Sequence, residues 1–213
     1  MTSRAAIPAR QQISTPLKTH RFRVLGVDPA VAGATGYGVV EFEGSTAHML
    51  RFGALKLPAR ASFDSRLRDI HQLIARLVEE FSPDAVAVES VFTALNVRTA
   101  LKLAEVRGVV LLAAAQAQVP SHSYSPREVK ASVAGYGHAG KEQMQQMVRA
   151  LLGMSETPEP ADAADALAVA LCHVQAAQFR ERLDAGSARA TAARPAPETK
   201  PRGSHSRMAA SRI

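Results

Sequence analysis

The chain has 213 residues, 46% of them hydrophobic, which is enough to bury one substantial core and leaves little room for a second. The apolar run VVLLAAA at 109–115 is far short of the roughly 20 residues that a membrane span needs, and a lone cysteine, Cys172, excludes an internal disulfide and a cysteine-based metal cage. The net charge of +7 is unevenly spread: residues 1–23 hold five Arg or Lys and no acid, 180–213 hold eight against three, and 24–179 hold 13 basic against 16 acidic groups. These counts predict a soluble protein of a reducing, cytoplasmic compartment, with no membrane segment. Its central part must segregate its charges or recruit cations before it can grip a polyanion.

The first 21 residues mix Ala, Ser, Thr, Gln, Pro and Arg without periodicity, and the last 34 do the same. Such composition predicts disordered basic tails over 1–21 and 180–213 around a folded domain at 22–179. An acid-free, Arg-containing N-terminus also matches an organellar transit peptide. RFRVLGVD (21–28) reads as a strand ending in an acid, with TGYGVVEF (35–42) as its hairpin partner and TAHMLRFGALKL (46–57) as a third strand. Leu67, Ile70, Leu73, Ile74, Leu77, Val78 and Phe81 recur at three and four, predicting an amphipathic helix capped by Ser62 and closed before Pro83. DAVAVES (84–90) is a compact buried strand, 96–118 a long helix and SHSYS (121–125) another strand, and helices follow from about 126, 140 and 161. Three strands, then strands alternating with helices, predict an α/β fold with a mixed five-stranded sheet flanked by helices.

Asp28 closes the first strand, in a region that normally excludes charge. Asp-Pro is also a good turn start, and that ordinary role accounts for Asp28 taken alone. Glu89 repeats the pattern at the end of AVAVE, and the carboxyl ends of parallel strands are where α/β sheets bind ligands. Asp162 and Asp165, i and i+3 on a helix, have Cβ atoms about 5–6 Å apart, where like charges repel. The helix dipole favours an acid at Asp162. It does not explain Asp165, which sits inside the apolar stripe AADALAVAL and needs a partner in the interior. Four acids from three elements, without Cys or His at ligand spacing, suit hard oxygen-seeking cations such as Mg²⁺ or Mn²⁺. Two such ions about 3.5–4 Å apart can activate a water and steady the leaving oxygen of a phosphodiester. Spacing alone leaves a purely structural reading open, because acids scattered along any chain can be gathered afterwards.

The same residues stand in blocks that resemble the RuvC family of Holliday-junction resolvases, endonucleases with a ribonuclease-H-like fold. The similarity covers about 22–178. It rests on LGVDP with TGYGVV, VESVF with NVRTALKLAEVRGV, YSPREVKASVAGYG with KEQMQQMV, and ADAADALAVAL, all in family order. The resemblance implies that Asp28, Glu89, Asp162 and Asp165 are the metal-binding catalytic acids, with two Mg²⁺ ions per site and Mn²⁺ as a substitute. It further implies a homodimer that nicks four-way junction DNA at symmetric points in recombination and repair. The cuts would leave 5′-phosphate and 3′-hydroxyl ends, in concert with a RuvA–RuvB branch-migration complex.

Within those blocks, Lys141 matches a catalytic and DNA-contacting lysine, Lys130 a DNA-contacting one, and Phe92 an aromatic that stacks on unstacked junction bases. Without the resemblance, both lysines read as solvated helix residues; the ordinary role of Phe92 is a core aromatic, against which the loop expected at 92–96 favours an exposed one. A family helix after the second acid block helps build the dimer, which nominates Leu101 and Val109 on 96–118, with core packing as their other role. The chain also departs from the pattern. DPAVAGATGYG has Ala30 where glycine is usual and one residue more, leaving Gly33 to supply the turn. Leu95 stands where some members carry a basic residue and Gly140 where an acid is common, while His138 replaces a family cation as a DNA contact. Two rival readings stand beside this one: a ribonuclease-H-like enzyme acting on RNA, and a junction-binding protein without cleavage. The phenylalanine and lysine blocks argue against the first, and the intact acids against the second.

Overall fold

The computed structural model describes residues 21–31, 33–56, 58, 60–90 and 96–192. Strands β1 (Phe22–Asp28) and β2 (Ala34–Glu43) form the expected hairpin, antiparallel with Phe22 opposite Phe42 and Asp28 opposite Gly36. β3 (Thr46–Lys56) continues antiparallel on the outer edge of β2. β4 (Ala85–Glu89) and β5 (Ser121–Tyr124) add parallel strands on the other side, giving the order β3-β2-β1-β4-β5. The mixed five-stranded sheet predicted from the pattern is the one observed, and it has the α/β arrangement of a ribonuclease-H-like fold.

Two separate cores cover the two faces of this sheet. Leu25, Val27, Val39, Val86 and Val88 point toward α1 (Phe63–Phe81) and α2 (Val97–Gln116). Val24, Val40 and Ala87, one residue out of phase, point toward α3 (Pro126–Ala134), α4 (Lys141–Leu151) and α5 (Ala161–Ala192). The strict alternation is the pleat of the strands expressed as packing. Helix α1 begins as expected, with the Ser65 N–H donating to the Ser62 hydroxyl at 3.3 Å, and ends at Ser82 in the left-handed region, just before Pro83. α3 opens on a capping box between Ser125 and Glu128, with Pro126 in its first turn.

Three glycines set how close α5 comes to the sheet. A Cβ on Gly26 would lie 2.1 Å from the Ala166 carbonyl oxygen, one on Gly36 1.9 Å from the Asp162 carbonyl oxygen, and one on Gly38 2.6 Å from Leu167 Cδ2. The helix answers with its own small residues, Ala163, Ala166 and Ala170, all buried. At Gly26 and Gly36 helix and sheet therefore meet backbone to backbone, and at Gly38 the Leu167 side chain fills the gap.

Through Ala176 the chain is one compact unit; from Ala177 it belongs to a second, in which α5 runs on to Ala192. The helix thus extends past the boundary expected near residue 179, because an alanine-rich segment with Gln, Arg, Glu and Leu sustains helical propensity without a core to cover. Among the described residues, no helix is long and apolar enough to cross a membrane.

Candidate active site

β1 and β4 are parallel neighbours with Val27 beside Val88, so the residues that follow, Asp28 and Glu89, end the two strands side by side. Strands in a sheet lie about 4.8 Å apart. By the same alternation that turns Val24 and Ala87 toward α5, both carboxyl groups face that helix. Asp28 donates a hydrogen bond to Glu89, and its carboxyl is pushed up to about 9. Burial is the largest cause; the charge of Glu89 comes next, and Asp165 and Asp162 add further repulsion. Asp162 and Asp165 reach this cluster because α5 rests directly on Gly26 and Gly36.

Glu89 and Asp165 are perturbed in the same sense. Glu89 is raised by burial and by Asp165, against the opposing effects of the Asp28 hydrogen bond and of Lys130. Burial also raises Asp165, opposed by Lys141, and Asp162 pushes it further. Lys141 Nζ stands 3.7 Å from Asp165 Oδ2. Lys130 and Lys141 offset only part of this crowding, and the proton kept on Asp28 relieves more of it.

A cavity of about 230 Å³ opens beside the cluster, with Glu89, Lys130, Lys141 and Asp165 supplying its polar wall and Pro126, Val129 and Met144 an apolar one. A larger hollow of about 730 Å³ lies between β3 and the 152–159 segment, lined by His48, Met49, Phe52, Glu156 and Glu159 among others. None of the four predicted acids lines it. The smaller cavity is where charge, burial and lysines coincide.

Among the described residues, no three His, Cys, Asp or Glu side chains converge as a finished metal cage. Asp28 is instead hydrogen-bonded to Glu89, and Asp165 paired with Lys141. The donor set nevertheless fits a hard divalent cation: it is all carboxylate oxygen, and the added charge would replace the Asp28 proton and remove the repulsion.

Of the remaining predicted residues, Lys130 on α3 and Lys141 at the start of α4 are brought to the cavity. His138 is exposed on the segment between α3 and α4 and does not line it. Phe92 and Leu95 lie outside the described residues. Gly33 takes φ +90° and so supplies the turn after Asp28, as its position suggested. Cys172 is buried, and burial pushes its thiol up to about 11. The two dimer candidates separate: Leu101 is 60% exposed, while Val109 packs against the core beneath α2.

Arg66 is a residue that sequence reading missed. From α1 it donates to the carbonyl oxygens of Val31 at 3.4 Å and Pro58 at 3.2 Å, clasping the turn that follows Asp28. Its register on the polar side of an amphipathic helix gave no hint of this. The contacts of Gly26, Gly36 and Gly38 with α5 were not legible in the sequence either.

The sequence pattern described as crossover junction endodeoxyribonuclease RuvC matches residues 24–173. A RuvC from Natranaerobius thermophilus is 46% identical over 160 residues, which span 75% of this chain and 99% of that protein. One from Trichlorobacter lovleyi is 48% identical over 172 residues, spanning 81% and 94%. Among solved structures, Thermus thermophilus RuvC superposes with a TM-score of 0.69 at 38% identity, covering 74% of this chain and 96% of that one. The same protein in complex with a Holliday junction substrate gives 0.70, with the same identity and coverage. Shared architecture, matched blocks and the clustered carboxylates agree, and the chain belongs to the RuvC family of crossover junction endodeoxyribonucleases, which are metal-dependent nucleases.

Proposed function

We propose that residues 22–179 form the nuclease domain and that Asp28, Glu89, Asp162 and Asp165 hold two Mg²⁺ ions, with Mn²⁺ able to substitute. The observation that carries this reading is the Asp28–Glu89 pair at adjoining strand ends, crowded by the acids of α5 and driven to keep a proton. The bound metal would supply Lewis-acid polarisation of a phosphoryl oxygen and an activated water nucleophile. The chain's own side chains do the rest. Lys141, held beside Asp165, offsets the charge that grows on the phosphate as the bond to the leaving oxygen breaks. Lys130 grips the DNA backbone from α3, and Val129 and Met144 exclude water from one wall of the cavity. Phe92 and His138 contribute further DNA contacts, Phe92 by stacking on an unstacked base.

The Thermus relative is solved in complex with a Holliday junction substrate, and the substrate of this chain is likewise four-way junction DNA, cut to products that carry 5′-phosphate and 3′-hydroxyl ends. Paired, symmetric cuts require two sites in two-fold relation, which a homodimer supplies. The outward face of α2 suits that role, with Val97, Leu101 and Leu112 exposed by 75%, 60% and 51%. In this reading the protein acts in the cytoplasm, in recombination and repair alongside a RuvA–RuvB branch-migration complex. The 1–21 and 180–213 segments are basic extensions of the domain. A cleavage assay on a mobile four-way junction in Mg²⁺ tests the site: Asp165→Asn loses cleavage and keeps junction binding. Normal cutting by Asp165→Asn would remove the four-carboxylate site.

A further inference from the structure

Tyr136 lies in the segment between α3 and α4, and it is 47% exposed although its surroundings are tied down. Gly135, at φ +83°, ends α3 in the left-handed region. Gly137 lies so close to Arg127 that a Cβ there would come within 2.7 Å of the arginine Cγ. Ala139 is buried in the core shared by α3, α4 and α5. The Tyr136 hydroxyl donates to Gln143 Oε1 in the first turn of α4. That turn begins with Lys141, whose ammonium faces Asp165. The ring is thus fixed to the helix that carries the candidate catalytic lysine, yet open to solvent, so stacking on it would cost little further side-chain entropy.

The chemistry next to it favours a nucleotide. α4 starts at Gly140 with no side-chain cap on its first N–H groups, and the cation of this turn, Lys141, stands 3.7 Å from Asp165 at the edge of the site. A DNA phosphate attended by Lys141 brings its own nucleoside within reach of that end of α4. Glu142, also in this turn, is exposed.

We propose that Tyr136 is a second aromatic platform of the nuclease, stacking on an unstacked nucleobase beside the phosphate that Lys141 attends. Aromatic stacking is tolerant of base identity, so the platform would position the strand and leave base readout to other contacts. The inference rests on the junction-cleaving reading. Wild-type cleavage in the same assay tests that reading by itself.

The test uses the full chain, a four-way junction carrying 2-aminopurine next to the scissile phosphate, and steady-state cleavage in Mg²⁺. Tyr136→Ala raises KM roughly 5- to 150-fold, the range of a base–aromatic stack, leaves kcat near wild type, and abolishes the 2-aminopurine response seen on binding. Tyr136→Phe keeps both, because the ring rather than the hydroxyl makes the contact. Tyr136→Leu, which keeps apolar bulk without a π face, behaves like Tyr136→Ala and decides the matter if the alanine variant melts early. The proposal is overturned if Tyr136→Ala and Tyr136→Leu match a cleaving wild type in KM and fluorescence. It is overturned equally if Tyr136→Phe is as impaired as Tyr136→Leu, which would assign the effect to the hydroxyl link with Gln143.

Discussion

Substituting Gly36 by alanine tests the claim that backbone contact between α5 and the sheet sets the spacing of the acids. The new Cβ would stand 1.9 Å from the Asp162 carbonyl oxygen and 2.5 Å from its carbonyl carbon, where ordinary contact begins at 3.4 Å. Nothing at this point is a flexible side-chain tip that can swing aside. The first turn of α5 must therefore retreat by about 1.5 Å, or β2 must bend away by as much. Overpacking of this kind costs about 1–3 kcal/mol, which for a chain of this size lowers Tm by about 2–12 °C. The larger effect falls on chemistry, because Asp162 and Asp165 move with the helix while Asp28 and Glu89 stay with the strands. A displacement near 1 Å can cost about 10²-fold in rate. Junction cleavage in Mg²⁺, junction binding and a thermal melt together separate the effects. Gly44→Ala is the control: its left-handed φ of +63° also strains an alanine, by about 1–2 kcal/mol, but open space surrounds it in the β2–β3 turn. If Gly36→Ala cuts junctions as fast as Gly44→Ala at equal thermal stability, helix–sheet distance does not control the site.

Asp28 holds its proton in the folded protein to about pH 9, against an ordinary 3.8 in the unfolded chain. Between those values the native state binds more protons, so metal-free stability is fullest at or below the lower value and declines as pH rises toward the upper one. Melts in EDTA across this window should show that decline in the wild type and a shallower one in Asp28→Asn; parallel curves would contradict a strongly shifted Asp28. On α2, Leu101→Arg puts a charge on a residue that is 60% exposed. It should leave the melt of the monomer fold within about 0.5 kcal/mol while shifting sedimentation of the proposed homodimer to monomer; a dimer that survives both Leu101→Arg and Leu112→Arg would move the proposed interface off this face.

The architecture was readable where burial imposes a period. Alternation in β1, three-and-four spacing in α1 and the acid-terminated runs around Asp28 and Glu89 each reflect a local rule, and the mixed character of the sheet followed from them, while its strand order did not. Distances between elements were not readable. Nothing in TGYG says that Gly36 and Gly38 touch α5 rather than bend a strand, because a glycine's absent side chain looks the same in both roles. Arg66 was hidden for a related reason: on a helix pattern it is one more polar residue, and only folding brings the Val31 carbonyl to it. Leu101 and Val109 share a helix and an apolar character, and their different exposure depends on where α1 lies. Asp28 and Glu89 emerged because a carboxylate at the end of a buried strand is conspicuous by its cost, and Asp165 because it interrupts an apolar helix stripe.

The two faces of the sheet are unequal material for anyone seeking a hardier form of this enzyme. Leu25, Val27, Val39, Val86 and Val88 meet α1 and α2 through full side chains, and such an interface tolerates volume-conserving exchange at modest cost. On the opposite face, Gly26, Gly36 and Gly38 lie against backbone or side-chain atoms of α5 with no slack at all. Enlarging Ala163, Ala166 or Ala170 there would act as a wedge under the acids before it could act as filler. Thermostabilising changes should therefore accumulate on the α1 and α2 side, and a library that treats both cores alike would lose activity chiefly through variants that still fold.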